Sequence, residues 1–214
     1  MGQQIDIAFL ELMASKVCHD LISPIGAISN GIEFMEEMGP DAIEEAVDLL
    51  KFSATQASAK LQAYRMAYGA GGGDISIKPE DVHKSFAKFI QLDKKITQDW
   101  DPHADIGPDE RSEGFSKLLM CALLLSCECL PKGGVITVDK AGQNITSIKA
   151  SGQDAALKPP MDKALSNEIH QDALEPRYVH AYMSGLLAKQ YGFQLEPKAN
   201  TEGGVEFHLI SPAV

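Results

Sequence analysis

The chain is poor in aromatic residues and in positive charge. Aromatics make up 7% of its 214 residues, with a single tryptophan, so a core must rest on Leu, Ile, Met and Ala. Lys and Arg number 19 against 30 Asp and Glu, a formal net charge of −11. So acidic a chain is a poor non-specific binder of nucleic acid or of anionic membrane. Long apolar runs are missing too. The longest without a charge, Leu118 to Cys127, is about half of the roughly 20 residues a spanning helix needs. No basic segment followed by an apolar one opens the chain, so no signal peptide is expected and a cytoplasmic location is. The four cysteines, Cys18, Cys121, Cys127 and Cys129, stand in no zinc-ligand spacing, and buried reduced thiols are expected. The apolar fraction of 44% excludes disorder.

What is present divides in two. Helical periodicity runs from about Gln3 to Met38, is broken by Gly39-Pro40, and resumes from Asp41 to Tyr68. Asp41, with Glu44 three residues on, suits an N-cap. So short a connection makes the two helices antiparallel neighbours. Gly69 to Gly73 then reads as a flexible linker and a domain boundary. Two helices cannot bury an apolar stripe on each by themselves, and a second copy completing a dimeric four-helix bundle is the economical solution. Beyond the linker, strands are expected over 75–77 and 95–100, and helices over 79–92, 109–130 and 177–191. Two hairpins should pair 135–138 with 145–150 and 193–196 with 205–210. The expected class is α+β: a helical hairpin over 1–69, then an α/β sandwich over 74–214.

On the first helix Leu10, Ala14, Val17, Leu21, Ile25, Ile28, Ile32 and Met35 form one seam. His19 points roughly 165° from its centre, away from the bundle core. Leu12, Ser15, Ile22 and Gly26 share its face, with Lys16 and Ser23 at the flank. Two readings fit this face. It is a docking surface, or Leu12 and Ile22 cover the inner side of the second domain. Pro24, five residues after His19, removes the hydrogen bond to the Asp20 carbonyl and should kink the helix, at a cost of about 3 kcal/mol. Strain beside an exposed histidine points to function. His83, His103, His170, His180 and His208 form no ligand spacing and read as structural or surface residues, and no carboxylate cluster near His19 suggests a metal site.

The segment Cys18-His19-Asp20-Leu21-Ile22-Ser23-Pro24-Ile25 resembles the H-box of histidine-kinase dimerisation domains, in which the histidine is phosphorylated. The element order that follows resembles the family's Bergerat-type ATP-binding sandwich. Its nucleotide groups are missing. The two asparagines of the first box fall on Cys121 and Leu125, the adenine-reading aspartate on Ala150, and the last glycine-rich box on Tyr178 to Ala181. Leucine offers Mg²⁺ no oxygen, and no glycine there cradles phosphate.

Over essentially its whole length the chain resembles the alphaproteobacterial ChpT-type histidine phosphotransferases of the cell-cycle phosphorelay. A sporulation-type phosphotransferase has a similar architecture, but the Ser-Pro of the H-box and the acidic sandwich favour the alphaproteobacterial type. The resemblance implies a homodimer that relays phosphoryl groups between receiver-domain aspartates through phospho-His19. It implies that Asp20 orients the ring or takes its proton. It implies hybrid-kinase receivers and CtrA- or CpdR-like regulators as partners, and no cofactor of its own, Mg²⁺ coming with the receiver. A degenerate sandwich of this kind is not expected to bind or hydrolyse ATP. The alternatives are a non-catalytic scaffold that binds receivers or kinases, and a weak histidine kinase.

Overall fold

Asp6 starts the first helix. Its carboxylate accepts from the Ala8 N–H at 3.0 Å, satisfying one of the donors a helix start leaves free. The computed structural model describes residues 6–39, 43–91, 95–108, 111–199 and 203–212. Helix α1 spans Ile7–Met38 and ends at Gly39, whose φ of 69° lets its N–H turn back to the Met35 carbonyl. Pro40 and the expected cap Asp41 lie outside the described residues. Helix α2 spans Ile43–Tyr68. Gly31 approaches Leu50, while Asp20 meets Lys60 and Tyr64. The two helices are therefore antiparallel, as the short connection requires.

The sandwich follows as α3 (Pro79–Ile90), β1 (Ile96–Gln98), α4 (Phe115–Glu128), β2 (Gly134–Gly142), β3 (Ile145–Ser151), α5 (Met161–Leu165), α6 (Val179–Gln190), β4 (Gln194–Ala199) and β5 (Gly204–Ile210). The sheet order is β1-β2-β3-β5-β4, antiparallel except for the β1–β2 pair. Pro197, paired with Phe207, is tolerated because β4 is an edge. Helix α4 is the centre of the core. Leu118, Leu119, Leu123 and Leu125 are fully buried in it.

Several expectations shift. Residues 75–77 form a turn, not a strand, since Ile77 N–H closes on the Asp74 carbonyl. The strand expected over 95–100 is only Ile96–Gln98. The helix expected from 109 begins at Phe115, after Gly114, and residues 109 and 110 lie outside the described ones. The expected final helix opens as a 3-10 turn over Pro176–Tyr178. Cys18 is exposed, against expectation, while Cys121 and Cys129 are buried, and burial pushes both of those thiols up to about 12.

The glycine-rich segment is not a flexible linker. Ala70–Gly73 is a 3-10 turn with Gly72 and Gly73 buried. A Cβ on Gly72 would stand 1.9 Å from the Met66 carbonyl oxygen, and one on Gly73 2.4 Å from the Tyr191 hydroxyl. These glycines allow close approach rather than freedom. Lys117, buried in α4, donates to the carbonyls of Ala67 at 3.2 Å and Gly69 at 2.6 Å, and burial lowers its pKa. Lys117→Met keeps the volume but leaves two carbonyls without this donor. It should lower unfolding stability by about 2 kcal/mol in a urea titration; wild-type stability would contradict the pinning role.

The helical pair rests on the sandwich through one continuous core that includes Phe9, Ala63, Tyr64 and Ala67, with Leu12, Met13 and Val17 packed against it. Phe9 meets Tyr182 of α6 at 5.2 Å. The same chain therefore covers part of each helix, more than the sequence suggests. The rest of the expected seam stays open: Leu10, Ile25 and Ile32 are exposed and Leu21, Ile28 and Met35 only half-buried.

Candidate functional site

His19 stands on the outer face of α1 with its side chain 85% exposed. Asp20, one residue on, turns inward and is only 15% exposed. Its backbone and its side chain are both held. Because Pro24 has no N–H, the Asp20 carbonyl lacks its helical donor. Lys60 of α2 donates to it instead, at 2.9 Å. Helix α1 runs on through Pro24 as one element.

The Asp20 carboxylate accepts from the Tyr64 hydroxyl at 2.5 Å and from Lys16, one turn earlier, at 3.0–3.1 Å. His19 Nδ1 lies 3.4 Å from Oδ1, the oxygen it shares with Lys16. Partial burial alone would raise the Asp20 pKa. The Tyr64 and Lys16 hydrogen bonds outweigh it, and the carboxyl is held below its ordinary value. Asp20 is therefore a fixed anion beside an exposed imidazole. An acceptor at Nδ1 favours the tautomer with its proton there and leaves the Nε2 lone pair to solvent. Such an imidazole is a nucleophile facing outward.

A group whose folded pKa is depressed stabilises the fold above its ordinary titration range and loses that contribution as pH falls through the folded value. Asp20→Asn should therefore be less stable than wild type at neutral pH, with the gap closing on acidification below the carboxylate range. Urea titrations across pH measure it, and a pH-independent gap would contradict the account.

A cleft of about 480 Å³ lies inside this site, between helices and sandwich. Lys16, Asp20, Lys60 and Tyr64 line one side of it, and Phe89, Glu128 and His180 are among the residues lining the other. Among the described residues no group of three or more His, Cys, Asp and Glu is placed to hold a metal ion. No helix there is long and apolar enough to cross a membrane.

Residues 79–203 match the family described as histidine phosphotransferase C-terminal domain. The chain belongs to the histidine phosphotransferase family. Phosphotransfer in a phosphorelay is the function that goes with this membership. Protein phosphotransferase ChpT of Brucella abortus (strain 2308) is 31% identical over 195 residues, 89% of this chain and 90% of its own. A solved bacterial phosphotransferase matches with TM-score 0.76 at 29% identity, over 97% of this chain and 98% of its own. The histidine kinase AdeS of Acinetobacter baumannii covers 90% of the chain at TM-score 0.43 and 10% identity, too low a likeness to bear on fold or function.

In this phosphotransferase the face expected around His19 divides. Ser15, Ile22 and Ser23 are exposed, Ile22 to 69%. Gly26 is half-buried. Leu12 is not on a free surface: it packs against the core because α1 lies on the sandwich. Lys16, at the flank, is half-buried and is the ion-pair partner of Asp20. Sequence reasoning missed Lys60, Tyr64, Glu128 and His180. The antiparallel register places Lys60 and Tyr64 opposite Asp20, and Pro24 signalled a carbonyl in need of a donor. His180 had no such signal. It is buried in α6, with Nδ1 2.9 Å from Glu128. The positions that the sequence resemblance aligns with a kinase's nucleotide groups are buried. Cys121 and Leu125 are fully buried in α4, Ala150 in β3, and Tyr178 to Ala181 are all buried.

Proposed function

We propose that His19 is the phosphoacceptor and that this phosphotransferase relays a phosphoryl group between the aspartates of two receiver domains. The observation that carries the reading is an exposed imidazole with a fixed carboxylate at Nδ1. His19 Nε2 attacks the phosphorus of a receiver's aspartyl phosphate. The N–P bond forms as the acyl P–O bond breaks, and the receiver carboxylate leaves with the electron pair. Asp20 stabilises the positive charge that develops on the ring, or takes the Nδ1 proton. A carboxylate of the second receiver reverses these steps. The transition state is loose, so positioning and charge neutralisation carry most of the catalysis. The receiver brings the Mg²⁺ that neutralises the phosphoryl oxygens.

Ser15, Ile22, Ser23 and Gly26 form the receiver-facing rim, and receivers of the CtrA and CpdR kind fit the whole-length resemblance to ChpT-type phosphotransferases. A second copy of the chain covers the open seam of α1 and α2, giving a homodimer. The helical pair over 1–69 carries the chemistry. The sandwich over 74–214 acts without ATP, a reading supported by the packed side chains at Cys121, Leu125, Ala150 and Tyr178 to Ala181. The protein works in the cytoplasm, where its receivers are.

Two parallel incubations test this, one with labelled ATP and Mg²⁺, the other with a labelled phospho-receiver. Label should appear on the chain only from the receiver. Label from ATP alone would make the protein a kinase, and label from neither would make it a scaffold.

A further inference from the structure

Tyr64 is 44 residues from Asp20 in the chain, yet its hydroxyl is the shortest contact the Asp20 carboxylate makes. What aims that hydroxyl comes from the sandwich. Glu128, at the end of α4, holds His180 Nδ1 at 2.9 Å. The His180 ring meets Tyr64 edge-on at 5.5 Å and stacks on Tyr68 at 5.3 Å. Phe89 of α3 closes on Tyr64 at 6.4 Å. A tyrosine has only two side-chain torsions, so a ring held by these neighbours has a fixed hydroxyl direction. Burial first, then the Asp20 hydrogen bond, push this phenol far above its ordinary pKa. It stays protonated and can always donate. The hydroxyl holds Oδ2, Lys16 spans both oxygens, and Oδ1 is the oxygen turned to His19.

We propose that Tyr64 is a positioning residue for phosphotransfer, holding Asp20 so that His19 keeps its proton on Nδ1. We propose also that the sandwich acts on the reaction by seating His180 against the Tyr64 ring. The inference rests on His19 as the phosphoacceptor. It gives the sandwich a part in phosphotransfer that needs no nucleotide: the cofactor-free domain orients the side chain that orients the nucleophile.

Tyr64→Phe in the full chain tests it, because the ring and its packing stay while the hydroxyl goes. Two readouts are needed. One is the rate of transfer from a phospho-receiver. The other is the nitrogen-15 shifts of the His19 imidazole above about pH 7.5, where a free imidazole is neutral. Transfer should fall about tenfold, the scale of one positioning hydrogen bond. The ring should shift from mainly Nδ1–H toward Nε2–H. His180→Ala should produce the same two changes, His180→Phe should recover part of both, and His180→Ala with Tyr64→Phe should be no worse than Tyr64→Phe alone. Should His180→Ala fail to fold, Tyr64→Phe decides by itself. Wild-type tautomer and rate in Tyr64→Phe would overturn the proposal, as would independent, additive losses in the double variant. The tautomer readout needs no receiver. An error about the phosphoacceptor would therefore show separately, as wild-type protein that takes no label while its His19 tautomer still responds to Tyr64→Phe.

Discussion

His19→Gln should take no phosphate from a phospho-receiver and should remain folded. Both halves of this result follow from where His19 sits. Its side chain is 85% exposed and its Nδ1 lies 3.4 Å from Asp20 Oδ1, so replacing it should change stability by no more than about 0.5 kcal/mol. Glutamine is close to histidine in size and polarity, but its amide nitrogen has a delocalised lone pair and does not attack phosphorus. The expected loss in transfer rate is at least about a thousandfold, the scale seen when a nucleophile is removed from a working site. Quantifying labelled phosphate on wild type and variant under identical receiver concentrations measures it. Residual transfer within tenfold of wild type would place the phosphoacceptor elsewhere.

Ile32→Glu should separate the two copies of the proposed homodimer. Ile25 and Ile32 on α1, and Leu49 and Phe52 on α2, are between 42% and 50% exposed in the single chain. The His19 face lies on the other side of α1. In a two-fold dimer each substitution occurs twice, and each places a carboxylate in an apolar seam. The charge has no partner there, so the dimer should weaken by about 3 kcal/mol or more, on the order of a hundredfold in dissociation constant. Ile32 is more than three turns from His19 along α1, so the phosphoacceptor itself is left intact. Light scattering with size-exclusion chromatography across a dilution series reads the change. A wild-type chain that is monomeric at micromolar concentration, or a variant that dimerises as well as wild type, would contradict the bundle.

The parts legible in the sequence are those that a single period carries. The 3.6-residue seam placed both long helices and turned His19 outward, and the H-box residues named the chemistry. Alternation over 135–138 and 145–150, and over 193–196 and 205–210, placed the two hairpins. The rest depends on contacts distant in the chain. Gly69 to Gly73 looks like a linker by composition, and only the approach of Met66, Tyr191 and Lys117 shows that these glycines are packing positions. Leu12 has the same place on the helical wheel whether solvent or the sandwich covers it. Tyr64 and His180 carry no motif: one is an apolar-face residue of an Ala-rich helix, the other falls where a glycine-rich box is missing. The meeting of Tyr64 with Asp20, and of His180 with Tyr64, is a property of the assembled chain. Nothing in the seam's pattern tells which apolar positions face a second copy and which face the chain's own second half.

The most direct measurement of the central claim is the location of the phosphate that wild-type protein takes from a phospho-receiver. Peptide mapping under alkaline conditions, with phosphorus NMR of the intact protein, should find one acid-labile phosphoramidate, on Nε2 of His19. Phosphate on another residue, an acid-stable phosphoester, or attachment at Nδ1 would contradict the account.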